Sequence, residues 1–156
     1  MKTLASWLSG IKSSGTLAIK AKALDLKSQG VEIIEFTAGE PDYPTPRKIK
    51  DAAIQAINDN FTYYTQTDGI PELKCAIIKK FREDNQLIYQ NDQVIVSSGA
   101  KHSLYQCLMV LLDEGDEVII PNPYWVSYSE QIRMFGGIPR FIDTFDTDFK
   151  ITPEAL

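Results

Sequence analysis

Residues 93–121, QVIVSSGAKHSLYQCLMVLLDEGDEVIIP, carry the clearest signal of the fold. This stretch begins with a β-branched run, turns at Ser98-Gly99, continues with apolar residues at helical spacing and ends on a second β-branched run. This pattern predicts a strand over 93–97, a helix over 100–112 with an apolar inner face, and a strand over 118–121. Strands joined through a helix of this length pair in parallel, so the stretch predicts an α/β fold.

The alternation of helix and strand continues on both sides of this stretch. Downstream, Gly136-Gly137 should end a helix over 125–135 and lead into a strand over 138–142. Upstream, Thr45 before Pro46 is typical of an N-cap followed by a first-turn proline. The other predicted elements are helices over 17–28, 45–60 and 71–81 and a strand over 31–36. The chain is therefore expected to form parallel strands with helices packed against the faces of the sheet.

The final residues, Thr152-Pro153-Glu154-Ala155-Leu156, begin with the N-cap and proline signature of another helix. The sequence stops before that helix could complete a turn. A parallel sheet that lacks a covering helix would also leave an exposed edge, which natural proteins avoid. The chain is therefore expected to be a fragment of a larger protein.

Composition and charge exclude several classes of protein. The chain has 156 residues, of which 44% are hydrophobic and 24% charged, as in ordinary globular domains. Its net charge of −5 argues against non-specific binding of nucleic acid. Apolar runs fall far short of the roughly 20 residues that a membrane-spanning helix needs. The N-terminus lacks the apolar region of a secretory signal, so a cytoplasmic protein is expected.

The two cysteines, Cys75 and Cys107, fall among apolar residues at helical spacing. Neither has a nearby cysteine or histidine in the order that metal ligands follow. We interpret both as reduced core thiols, and no metal site is predicted.

The strongest candidate site is the turn formed by Ser98, Gly99, Ala100 and Lys101, hereafter the 98–101 turn. Small residues at the start of a helix let backbone N–H groups approach a phosphate, and Ser98 adds a hydroxyl donor. Lys101 could contact the phosphate, be a solvated first-turn lysine, or act as a nucleophilic amine. A plain tight turn explains the small residues equally well. The turn matches neither the dinucleotide-binding fingerprint nor a Walker A loop.

Aromatic residues and one histidine supply further candidates. Trp125 follows the carboxyl end of a predicted strand, where it could cover a planar cofactor or simply pack in the core. Tyr63 and Tyr64 lie in an irregular segment and could reach a phosphate on a neighbouring chain or pack on the surface. His102 is the only histidine and has no carboxylate close in sequence to orient it, which disfavours a catalytic role.

Four groups of residues in order carry a family resemblance. They are TAGEPD at 37–42, Tyr64 followed by GIPEL at 69–73, SGAK at 98–101, and GDEV at 115–118 with PNPYWVSY at 121–128. Together they resemble the class I aminotransferases, the aspartate aminotransferase-like group of fold type I pyridoxal-phosphate enzymes. The resemblance spans nearly the whole chain.

The resemblance implies a partial three-layer α/β sandwich and a role for several residues. The 98–101 turn would bind the phosphate of pyridoxal 5′-phosphate, and Trp125 would stack on the pyridine ring. Tyr64 would reach the cofactor phosphate of a partner subunit, so that a homodimer shares the site. Gly39 would lie over the substrate carboxylate, and Thr16 would lie near the substrate entrance with Ser13-Ser14-Gly15. Residues 1–44 would form an arm and small-lobe segment, and 45–156 an incomplete large domain.

The implied activity is transfer of an amino group from an amino acid, with aspartate the best candidate, to a 2-oxo acid by a ping-pong mechanism. The family's cofactor-binding lysine, the acidic partner of the pyridinium nitrogen and the substrate-binding arginine have no counterparts here, so no catalytic residue is predicted and the chain alone should be inactive. The alternatives are a non-catalytic phosphate-binding or dimerising fragment and a related pyridoxal-phosphate lyase or synthase.

Overall fold

The computed structural model describes residues 5, 8, 10, 11, 15–36 and 39–156. Five helices and two strands make up the regular structure of these residues. The helices are α1 (Gly15–Ser28), α2 (Arg47–Asn58), α3 (Pro71–Asn85), α4 (Ala100–Leu111) and α5 (Ser127–Met134). The strands are β1 (Glu117–Asn122) and β2 (Ile138–Asp143), and short 3-10 turns cover Asn91–Gln93, Phe145–Thr147 and Pro153–Ala155.

The chain divides into two compact units. One comprises residues up to Gly39 together with 104–156, and the other comprises 40–103. The division into an arm and small-lobe segment over 1–44 and an incomplete large domain over 45–156 stays a prediction.

The centre of the first unit is the β1–α5–β2 crossover. The two strands pair in parallel, from Glu117 opposite Ile138 to Asn122 opposite Asp143. Helix α5 contacts both strands, and its Ile132 is 1% exposed. The predicted parallel pairing of these two segments is therefore confirmed.

Two predicted strands are wrong. Neither 31–36 nor 93–97 is a strand, because no strand of the described ranges pairs with either. The Val31 amide donates instead to the Leu26 carbonyl at 3.1 Å, and the Val96 amide donates to the Asp68 carbonyl at 2.9 Å. A β-branched run becomes a strand only when a neighbour supplies the ladder hydrogen bonds.

Helix starts differ slightly from the prediction. Pro46, not Thr45, occupies the N-cap of α2, and no side chain caps that helix. Helix α5 begins at Ser127, two residues after Trp125. A single Pro153–Ala155 3-10 turn follows Thr152. Caps depend on the geometry of the incoming chain, so sequence signatures locate helix starts only to within one or two residues.

Burial is less extensive than the apolar periodicity predicts. Helix α4 has no buried residue, and Cys75 and Cys107 are free but exposed, so the prediction of core thiols is wrong. The hydrophobic residues buried in the described ranges are Ala23, Val94, Ile120 and Ile132. Periodicity shows which residues share a helix face but not what covers that face.

Two features are missing from the described residues. None of the helices is both long and apolar enough to cross a membrane. No group of three or more histidine, cysteine, aspartate and glutamate side chains in these residues is placed to hold a metal ion.

Candidate functional site

The 98–101 turn leads directly into α4. Gly99 has φ +84°, a left-handed conformation that L side chains rarely adopt, and a Cβ built there would meet nothing within 4 Å. The Gly99 carbonyl accepts the amides of His102 at 3.1 Å and Ser103 at 3.2 Å, which closes the first turn. First-turn amides have no acceptor within their own helix and point out of its positive end. The Gly99 amide itself donates to the Ser97 carbonyl at 2.8 Å. What the turn offers an anion is therefore the positive end of α4 and the open space beside Gly99.

Side chains of the first helical turn hold this conformation. The Ser98 amide donates to Nδ1 of His102 at 3.2 Å. The hydroxyls of Ser97 and Ser103 hydrogen-bond each other, and the Ser103 hydroxyl donates to the Gly99 carbonyl at 3.4 Å. His102 is therefore a helix-start residue that accepts from the turn. The i, i+4 spacing of Ser98 and His102 was the available signal, and sequence reasoning missed it.

Asp68 contacts the backbone shortly before this turn, where its carbonyl accepts the Val96 amide at 2.9 Å. Lys74 of α3 is 4% exposed and forms an ion pair with the Asp68 carboxylate. The hydrogen bond from Lys74 lowers the pKa of Asp68 below its ordinary value. Asp68 therefore stays ionised, and the pair persists, until the pH falls through that lowered pKa.

Sequence reasoning missed Lys74 because it assigned the inner face of α3 to apolar residues. Leu73 is 42% exposed in the structure, whereas Lys74 is buried. Burial of the lysine is tolerated because its ammonium is paired with the Asp68 carboxylate. The lysine stem lies beside Gly69, with its Cγ 3.7 Å from where a Cβ of that residue would be, an ordinary packing distance.

Trp125 lies at the carboxyl end of β1, as predicted. It is 43% exposed, and its carbonyl accepts the Tyr128 amide at 3.0 Å. The preceding ring, Tyr124, stacks on Phe141 with centroids 5.0 Å apart. Thr144 is 2% exposed and donates from its hydroxyl to the Asn122 carbonyl. These contacts tie the loop that carries Trp125 to the end of β2.

The other predicted site residues are exposed or only half-buried. Tyr64 is fully exposed at 107%, Gly39 is exposed, and Thr16 is half-buried. Tyr64 and the 98–101 turn belong to the 40–103 unit, whereas Trp125, Gly39 and Thr16 belong to the other unit. The predicted positions at 13–14 and 37–38 lie outside the described residues.

Comparison with known proteins places these features in a family. The model of the family "Aminotransferase class I and II" matches residues 31–156. An aspartate aminotransferase of Bacillus sp. (strain YM-2) is 51% identical over 154 residues, which cover 98% of this chain and 39% of that protein. A probable aspartate/prephenate aminotransferase of Rickettsia conorii is 48% identical over 157 residues, which cover 100% of this chain and 39% of that protein.

A solved structure gives the same assignment. The aspartate aminotransferase of Thermus thermophilus with maleate superposes with a TM-score of 0.93 at 42% identity, over 99% of this chain and 41% of that one. The likeness confirms the α/β fold and the family resemblance. The chain spans about 39% of the length of the relatives that it matches. The chain belongs to the family of class I and II aminotransferases.

Proposed function

We propose that this chain supplies the phosphate-binding part of an aminotransferase that uses pyridoxal 5′-phosphate. The observation that carries the proposal is the 98–101 turn, where left-handed Gly99 leaves open space at the positive end of α4. A phosphate dianion suits such a helix start because amides and the dipole both favour negative charge. The hydroxyl of Ser98 and the exposed Lys101 add a donor and a positive charge.

The residues present fit the cofactor in chemistry. Pyridoxal phosphate would supply an electrophilic carbonyl and an electron-accepting ring when bound. Amides and the Ser98 hydroxyl would hold its phosphate, and the half-exposed Trp125 would cover a ring face. Gly39 and Thr16 are proposed to contact the substrate. The residues of this chain bind and orient; none is assigned a proton-transfer step.

The proposed reaction moves an amino group from an amino acid to a 2-oxo acid. Aspartate is the proposed donor, since the two relatives described above are named for aspartate or for aspartate and prephenate. Those names do not favour a non-catalytic module or a related lyase or synthase. A cytoplasmic location stays a prediction.

We propose that the assembly is a homodimer with a shared site. The support is Tyr64, whose fully exposed side chain leaves its hydroxyl available to a second subunit. A tyrosine hydroxyl can donate to a phosphate oxygen.

The proposal is tested by titrating the full-length gene product with pyridoxal phosphate and with pyridoxal. We expect tight binding of the phosphorylated form, weak binding of pyridoxal, and amino transfer from aspartate to a 2-oxo acid by the loaded protein. A gene product that bound neither compound would contradict the proposal. Tight binding without amino transfer would instead favour a related lyase or synthase, which product analysis would identify.

Replacing Trp125 with alanine should weaken cofactor binding about 2- to 12-fold, since an aromatic stack contributes about 0.5–1.5 kcal/mol beyond area burial. Trp125→Phe keeps a ring and should retain most of the affinity. Equilibrium dialysis with pyridoxal phosphate measures both. An alanine variant with unchanged affinity would make Trp125 a packing residue.

Replacing Tyr64 with phenylalanine should weaken retention of the cofactor phosphate because one donated hydrogen bond is lost. The matched control is Tyr63→Phe, which removes a hydroxyl from a neighbour that is 85% exposed and should change nothing. The weaker retention of the cofactor in Tyr64→Phe should be measurable in the dimer. It should be absent when the protein is diluted until the dimer dissociates. An equal loss in the monomer would show that Tyr64 does not act across subunits.

A further inference from the structure

The residue that connects the site to the rest of its unit is Asp68, which holds two partners at once. Its carbonyl accepts the Val96 amide at 2.9 Å, and its carboxylate accepts from the Lys74 ammonium. One residue thus joins the start of α3 to the backbone that enters the 98–101 turn. Val96 is two residues before Ser98, so any displacement of Val96 passes directly into the turn.

Gly69, the residue after Asp68, also packs closely against Val96. Gly69 has φ +113°, and a Cβ built on it would lie 2.5 Å from Cγ2 of Val96 and 2.9 Å from its Cβ. Only a residue without a side chain permits this approach. The position of Val96 is therefore set by two contacts with adjacent residues, Asp68 and Gly69.

The ion pair fixes Asp68 in turn. Lys74 has only 5% of its side chain exposed, whereas the Asp68 side chain is 45% exposed. A buried ammonium needs a partner that satisfies its charge, so the lysine holds the aspartate in one orientation. Lys74 itself is anchored in α3, where its amide donates to the Ile70 carbonyl at 3.1 Å. The chain of contacts therefore runs from the first turn of α3 through Asp68 to Val96.

We propose that Lys74 and Asp68 are positioning residues that set the geometry of the 98–101 turn for a phosphate without touching it. They act through the hydrogen bond from the Val96 amide to the Asp68 carbonyl, which holds the backbone just before the turn. At the other end, His102 accepts from the Ser98 amide at 3.2 Å. Anion binding by backbone amides depends on their mutual direction, so a turn held at one end only should bind phosphate less well. This inference rests on the proposed function.

The test compares pyridoxal phosphate with pyridoxal in the full-length gene product, because the ratio of the two affinities isolates the contribution of the phosphate. Lys74→Met keeps the length of the side chain and removes the charge. Asp68→Asn keeps the shape of the partner. We expect each to lower the affinity ratio at least threefold, with pyridoxal affinity within twofold of the wild type. Lys74→Arg should restore most of the ratio, which a purely structural effect of burial would not do.

The matched control is Lys80→Met in the same helix. The Lys80 side chain is 56% exposed, and its Nζ lies 3.9 Å from a carboxylate oxygen of Asp84. Removal of this charge should leave the ratio of the two affinities unchanged. A second readout is hydrogen exchange of peptides covering 96–101, which should be faster in Lys74→Met and unchanged in Lys80→Met. If Lys74→Met does not fold, Asp68→Asn gives the result.

The outcomes separate this inference from the proposed function. A wild-type protein that binds the two compounds equally would overturn the proposed function and the inference with it. A wild-type preference for the phosphorylated compound that Lys74→Met and Asp68→Asn both retain would overturn the inference alone. A loss of equal size in Lys80→Met would also overturn it, because any lost charge would then suffice.

Discussion

Replacing Gly69 with alanine is expected to lower the free energy of unfolding by about 2–5 kcal/mol, the sum of a left-handed backbone penalty and overpacking. The backbone has φ +113°, and the new Cβ would lie 2.5 Å from Cγ2 of Val96. Relief requires Val96 to move, which opposes its hydrogen bond to the Asp68 carbonyl. Chemical denaturation of the purified variant measures the loss.

Gly115→Ala separates the two causes. Gly115 has φ +93°, but a Cβ built there meets nothing within 4 Å. That variant should lose only the backbone part, about 1–2 kcal/mol. Equal losses of unfolding free energy in the two variants would show that Val96 moves away from the new Cβ at position 69 without destabilising the protein.

Replacing Ile132 with alanine is the second change with a large expected effect, about 2–5 kcal/mol of lost stability. Ile132 is 1% exposed on the helix that contacts both strands. A Cβ built on Gly137 would lie 2.9 Å from its Cγ2, so the backbone after α5 also packs on this side chain. Truncation leaves a cavity that this backbone cannot easily fill.

A graded series provides the control for that prediction. Ile132→Val removes one methyl group and should cost about 0.5–1.5 kcal/mol. The denaturation midpoints should therefore fall in the order wild type, valine variant, alanine variant, with unchanged slopes. An alanine variant as stable as the valine variant would mean that the surroundings collapse around the missing atoms.

The β1–α5–β2 crossover could be predicted because its signals are local. The β-branched runs, the helical spacing between them and the stop at Gly136-Gly137 all lie within the elements that they specify. The strands expected at 31–36 and 93–97 failed for the opposite reason. A strand exists only through a neighbour, and no strand of the described residues pairs with either segment. One amide in each, Val31 and Val96, donates to Leu26 and Asp68 instead.

The candidate site divides in the same way. The 98–101 turn was visible in the sequence because small residues before a helix are a local signal, and φ +84° at Gly99 agrees with it. The contact of His102 with Ser98 was within reach of i, i+4 spacing. The Asp68 to Val96 contact was not, because it joins residues 28 positions apart through main-chain atoms that every residue type carries.

The fold class, the parallel pairing of β1 and β2, the turn at the start of α4 and the family could all be predicted from the sequence. Which side chains are buried could be seen only once the segments were packed together. Lys74 rather than Leu73 lies inward, and the burial of its charge is tolerated because Asp68 neutralises it. Local conformation follows from neighbouring residues, whereas burial follows from which distant segments meet.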